Sequence, residues 1–121
     1  MGRYQELIES FIAHMKKNPN IECCGIITKD FNYIPCENIS SDPKNTFILD
    51  PIALHKYGDN CWGVFHSHPD HEDLPSEKDK DSAIFSQYKF ILGTLNNTFY
   101  IYWLDPLGYL RFTDFTEESL I

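Results

Sequence analysis

The stretch that most restricts what this chain can become is Val64-Phe65-His66-Ser67-His68-Pro69, followed by Ser76-Glu77-Lys78-Asp79. In a β-strand alternate side chains share a face, so His66 and His68, two residues apart, offer two imidazoles to one point. A helix predicted over residues 76 to 88 has a first turn that can bring Ser76 and Asp79 back beside the histidines. Neutral imidazole together with carboxylate suits zinc. Three protein ligands leave a fourth position for water, the arrangement of a catalytic zinc site rather than a structural one.

The rest of the pattern places this stretch in a fold. Leu7, Ile8, Phe11, Ile12 and Met15 recur at helical spacing and predict an amphipathic helix over residues 3 to 17, ended by Asn18-Pro19-Asn20, with His14 on its solvent face. Residues 21 to 28 are apolar and β-prone apart from Glu22. A turn at Lys29-Asp30 leads into a second strand over residues 31 to 38. Residues 40 to 45 are a loop by composition, and residues 46 to 49 predict a short strand. Asp50-Pro51 then starts a short helix, with Asp as N-cap, that carries His55 on its surface. Residues 61 to 65 form the apolar strand that delivers His66. Strands follow at 90 to 95, 98 to 104 and 109 to 112, joined by turns, and the polar tail from Thr113 is expected to fray. Short turns between strand pairs predict an α+β sandwich with a mixed or antiparallel sheet, and a length of 121 residues fits one domain over residues 1 to 121.

Charge narrows the partners. Ten basic against 18 acidic residues give a formal net charge of -8, which opposes binding to nucleic acid or to an anionic membrane, since both require a basic patch. No run approaches the roughly 18 apolar residues of a membrane span, and the chain reads as soluble and cytoplasmic. Cys23, Cys24, Cys36 and Cys61 include no C-x-x-C pair and two adjacent residues, so they read as reduced, buried thiols rather than a disulfide framework or zinc ribbon.

Glu22 stands out because its neighbours, Ile21, Cys23, Cys24, Gly25, Ile26 and Ile27, describe a buried strand, where an unpaired carboxylate is costly. It therefore requires a partner, and a water at the metal is one. Alternation puts Cys24 on the face of Glu22, where packing is its expected role. Two other readings of the motif compete. Ser76-Glu77-Lys78-Asp79 also spells a helix capping box, which has no chemistry of its own. His66-Ser67-His68-Pro69-Asp70-His71 also spells the H-x-H-x-D-H signature of metallo-β-lactamase-fold hydrolases, with Asp70 and His71 as ligands. No histidine follows His71, and 121 residues are few for that four-layered architecture.

Taken together, Glu22, His66-Ser67-His68-Pro69, Ser76 and Asp79 resemble the JAMM metalloproteases, the catalytic branch of the MPN domain superfamily. That family's pattern is an early glutamate, then H-[ST]-H-P, six residues, Ser, two residues and Asp, and this chain departs from it nowhere. The resemblance implies a cytidine-deaminase-like sandwich, a mixed central sheet flanked by helices. It implies one zinc ion held by His66, His68 and Asp79, with Glu22 as general base and Ser76 as oxyanion donor. It further implies a peptide or isopeptide-linked protein as substrate. MPN scaffolds without catalysis usually lose one or more of these residues, and all are present here.

Only 43 residues separate Glu22 from His66, which leaves little room for the insertions that family deubiquitinases use to hold ubiquitin. The compact form, and residues 38 to 51 in particular, resemble bacterial and bacteriophage tail-assembly members. In those proteins the domain is often followed by a cysteine peptidase domain. Phage tail proteins or such a fused domain are then the expected partners, and the host cytoplasm or the virion tail the expected location.

Overall fold

The computed structural model describes residues 2–70, 74–84 and 86–121. Helix α1 (Arg3–Lys17) is followed by strands β1 (Cys24–Thr28) and β2 (Tyr33–Cys36), helix α2 (Pro51–Tyr57) and strand β3 (Cys61–Ser67). Helix α3 (Glu77–Ile84) and strands β4 (Lys89–Gly93), β5 (Phe99–Leu104) and β6 (Leu110–Asp114) complete the chain. The strands form one sheet in the order β2-β1-β3-β4-β5-β6. Among the described residues only β3 and β4 pair in parallel, and their connection carries α3; the other neighbouring pairs are antiparallel. The predicted mixed sheet flanked by helices is the observed α+β architecture.

Strand alternation divides the core in two. On one face Ile27, Phe65, Ile91 and Ile101 meet Leu7 and Phe11 of α1, and the Phe11 and Phe65 rings stack with centroids 4.1 Å apart. On the other face Ile26, Val64, Phe90, Leu92 and Tyr102 pack against Ala83 of α3 and against Ala53 and Leu54 of α2. His66 lies two residues beyond Val64 on β3 and so continues this second face, under the layer that carries α2 and α3.

Several local expectations are corrected. The first strand begins at Cys24, not at residue 21, so Glu22 precedes the sheet. Residues 46 to 49 form no strand; Leu49 makes a single bridge to Asn38. Helix α3 stops at Ile84 and does not reach Tyr88. His14 does not face solvent freely: its Nδ1 lies 2.7 Å from the Tyr33 hydroxyl, and burial lowers its pKa. The tail does not fray. Phe115 is buried against α1, its N–H donates to the carbonyl of Phe99, and Glu117–Leu120 forms a 3-10 turn capped reciprocally by Thr116 and Ser119. A polar composition concealed one apolar anchor. His55 is exposed, as expected.

Candidate metal centre

Three elements converge at the end of β3. Central strands are buried on both faces, so β3 carries His66 into the interior with no exposed surface, and His68 just beyond it is 5% exposed. The His68 N–H still donates to the Gly93 carbonyl at the end of β4, which continues the parallel ladder by one bond and fixes the second histidine. Ser67, between them, points to the opposite face. Its Oγ accepts the Cys23 N–H at 2.9 Å, and its own N–H donates to the Cys23 carbonyl at 3.0 Å. The residue between the two histidines thus fastens the chain next to Glu22.

The third element is the start of α3. Ser76 Oγ accepts the Asp79 N–H at 3.1 Å, and Asp79 Oδ2 accepts the Ser76 N–H at 2.9 Å, a reciprocal cap of the helix. Asp79 Oδ2 also lies 3.1 Å from His68 Nε2 and 4.0 Å from His66 Nε2. Burial alone would raise the pKa of this carboxyl. The His66 charge, the His68 hydrogen bond and the Ser76 N–H outweigh burial and hold it down to about 2.

Glu22, His66, His68 and Asp79 are all buried, and one ligand-type atom from each lies within 4.8 Å of the others. Among the described residues, the buried side-chain polar atoms without a hydrogen-bond partner are Glu22 Oε1 and His66 Nδ1. They lie 3.6 Å apart. Unsatisfied buried polar atoms are rare and costly, and two of them facing each other within a set of imidazole and carboxylate donors fit a bound cation with its water. The group can hold a metal ion. Asp70, one of the alternative ligands, is exposed and is not one of the four; His71 lies outside the described residues.

Three supporting residues were not foreseen. Tyr102 on β5 is fully buried, and its hydroxyl lies 2.6 Å from His66 Nε2. Burial, followed by the charges of Asp79 and Glu22, raises the pKa of this phenol well above its ordinary value, so it keeps its proton. Phe47 stacks on the face of the His66 ring, with centroids 4.5 Å apart and planes 15° apart. Asn38 ties the segment that carries Phe47 to the backbone of Glu22. Only Tyr102 left a signal in the sequence, as a tyrosine in an alternating strand. Cys24 is fully buried, its Sγ 3.7 Å from the Glu37 carbonyl, so it packs as expected.

A helix-flanked mixed sheet with a buried Glu-His-His-Asp group at the end of its central strand defines a JAB/MPN-type domain. The family model of prokaryotic homologs of the JAB domain matches residues 4–104, and the chain belongs to this family. Among curated proteins it is 36% identical over 83 residues to tail tip assembly protein K of Escherichia phage N15, covering 63% of this chain and 33% of that protein. It is 26% identical over 101 residues to a desampylase of Haloferax volcanii, covering 69% of this chain and 73% of that protein. The chain thus spans about a third of the length of the phage relative. A solution structure of a protein from Desulfitobacterium hafniense superposes with a TM-score of 0.69 at 20% identity, over 97% of this chain and 95% of that one, and shares the fold. Among the described residues, no helix is long and apolar enough to cross a membrane.

Proposed function

We propose that residues 1 to 121 are one JAMM-type domain that hydrolyses peptide or isopeptide bonds with one zinc ion held by His66, His68 and Asp79. The observation that carries this reading is the pair of unpartnered buried atoms, Glu22 Oε1 and His66 Nδ1, 3.6 Å apart within a four-residue donor group. Zinc bound there would supply Lewis acidity and ease the ionisation of water towards neutral pH.

The chain's own residues supply the remainder. Glu22 takes the proton of the water that attacks the scissile carbonyl and returns it to the leaving amine, so one carboxylate serves both half-steps. The Ser76 hydroxyl accepts the Asp79 N–H through a lone pair, which leaves its O–H to donate to the developing oxyanion. Asp79, oriented by the Ser76 N–H and placed beside His68 Nε2, offers the zinc a carboxylate oxygen.

The likeness to a desampylase supports the isopeptide class of substrate, a protein conjugate, and the likeness to a tail tip assembly protein supports a phage-tail setting. In that setting the protein acts in the host cytoplasm or on the virion tail, with tail proteins or a fused cysteine peptidase domain as its partners. The test is a screen of peptide and isopeptide substrates with zinc-loaded protein beside a Glu22→Gln control. Turnover by the parent alone supports the hydrolase. Zinc-bound protein that turns over none of them while binding tail proteins marks a non-catalytic assembly module instead.

A further inference from the structure

Glu22 precedes β1, so its backbone has no partner in the sheet, and a general base needs its carboxylate held to within a fraction of an ångström. Its N–H donates to the Pro43 carbonyl at 2.7 Å, and its carbonyl accepts Asn38 Nδ2 at 2.9 Å. Both bonds come from the segment between residues 38 and 49. Asn38 organises that segment from within. Its Nδ2 also donates to the Thr46 carbonyl at 3.0 Å, while its Oδ1 accepts the N–H groups of Ser40 at 3.0 Å and Ile48 at 3.1 Å. One half-buried amide thus closes the loop on itself and fastens it to Glu22, and the same loop lays Phe47 on the His66 ring.

We infer that Asn38 is a positioning residue for Glu22, holding the base beside His66 through the 38 to 49 segment. The inference rests on the reading of Glu22 as general base. An asparagine is needed because two donors and one carbonyl are all in use: aspartate would keep the bonds from Ser40 and Ile48 and lose those to Glu22 and Thr46. His66 and Asp79 are carried by β3 and α3, and the His68 N–H is fixed to Gly93 of β4, so loss of the amide should displace the base and leave these three residues in place.

Asn38→Asp and Asn38→Ala are compared with the parent and with Glu22→Gln by amide hydrogen exchange, zinc content and steady-state kinetics. In Asn38→Asp the Glu22 amide is expected to exchange at least about tenfold faster while the amides of Ile26 and Ile91 keep their protection. Zinc content stays at the parent's level, and kcat falls by about tenfold or more at little change in KM. Unchanged exchange at Glu22 overturns the inference. So does an equal loss of protection at Glu22, Ile26 and Ile91, which would make Asn38 a general stabiliser. If Glu22→Gln hydrolyses as fast as the parent, the reading of Glu22 as base fails, and the exchange data still decide whether Asn38 holds it.

Discussion

Ser76 and Asp79 cap each other: the serine hydroxyl accepts the aspartate N–H at 3.1 Å, and the aspartate carboxylate accepts the serine N–H at 2.9 Å. The same carboxylate oxygen reaches His68 Nε2 at 3.1 Å. Capping and metal ligation are rival readings of Ser76-Glu77-Lys78-Asp79 in the sequence, but in the folded chain the capping carboxylate is also part of the donor group. The helix start thus orients Asp79, one of the four donor-type residues, so a change at this serine bears on both the helix and the donor group.

Ser76→Ala therefore removes the cap acceptor and should cost about 0.5 to 2 kcal/mol of stability. It should also lower turnover by about a hundredfold or more if the hydroxyl serves the oxyanion. Ser76→Asp restores a good cap but sets a negative charge beside Asp79, and is expected to be stable and inactive. Thermal unfolding and turnover of the two variants separate the effects. A fully active Ser76→Asp would reduce the serine to a cap.

Tyr102→Phe deletes the hydroxyl 2.6 Å from His66 Nε2 and leaves a buried ring nitrogen unpaired. Outer partners of ligand histidines typically matter by about 10-fold to 100-fold in metal affinity, and a loss in that range is expected when zinc is titrated against a competing chelator. Affinity equal to that of the parent would show that the phenol only fills space.

The four thiols predict behaviour at high pH. Burial, with the charges of Cys36, Cys23 and Glu22 added, pushes Cys24 from 9.0 up to about 12, and burial raises Cys61 to about 11; Cys23 and Cys36 are raised as well. Folding thus favours the protonated thiol. These groups stabilise the fold fully below their unfolded pKa, and that contribution is lost as pH rises from about 9 towards 11 to 12, because there the unfolded chain binds fewer protons. Folded protein should resist thiol alkylation at pH 8, and its denaturant midpoint should fall across that alkaline window. Rapid alkylation of Cys24 in the folded state at pH 8 would contradict its burial.

Motif and alternation make much of the architecture legible in the sequence. Leu7 and Phe11 at helical spacing located α1, and His66-Ser67-His68 located the end of a buried strand, because both signals are local. What the sequence concealed depends on distant contacts. Glu22 reads as a strand residue because Ile21, Cys23 and Cys24 are apolar, yet the ladder begins only at Cys24, and the glutamate is held by Pro43 and Asn38 across a loop. Thr46 to Leu49 have strand composition, but Phe47 turns to cover His66 instead of pairing. Phe115 anchors a tail whose other residues are mostly polar. A single contact of high sequence separation leaves no periodic signature.

In the proposed site His66, His68 and Asp79 hold one zinc ion, and Glu22 serves the chemistry without holding it. The zinc-to-protein ratio, measured side by side for parent, His66→Ala and Glu22→Gln after loading and desalting, tests this most directly. One zinc per chain is expected in the parent, none in His66→Ala, and one in Glu22→Gln. Undiminished zinc in His66→Ala, or loss of zinc in Glu22→Gln, would contradict it.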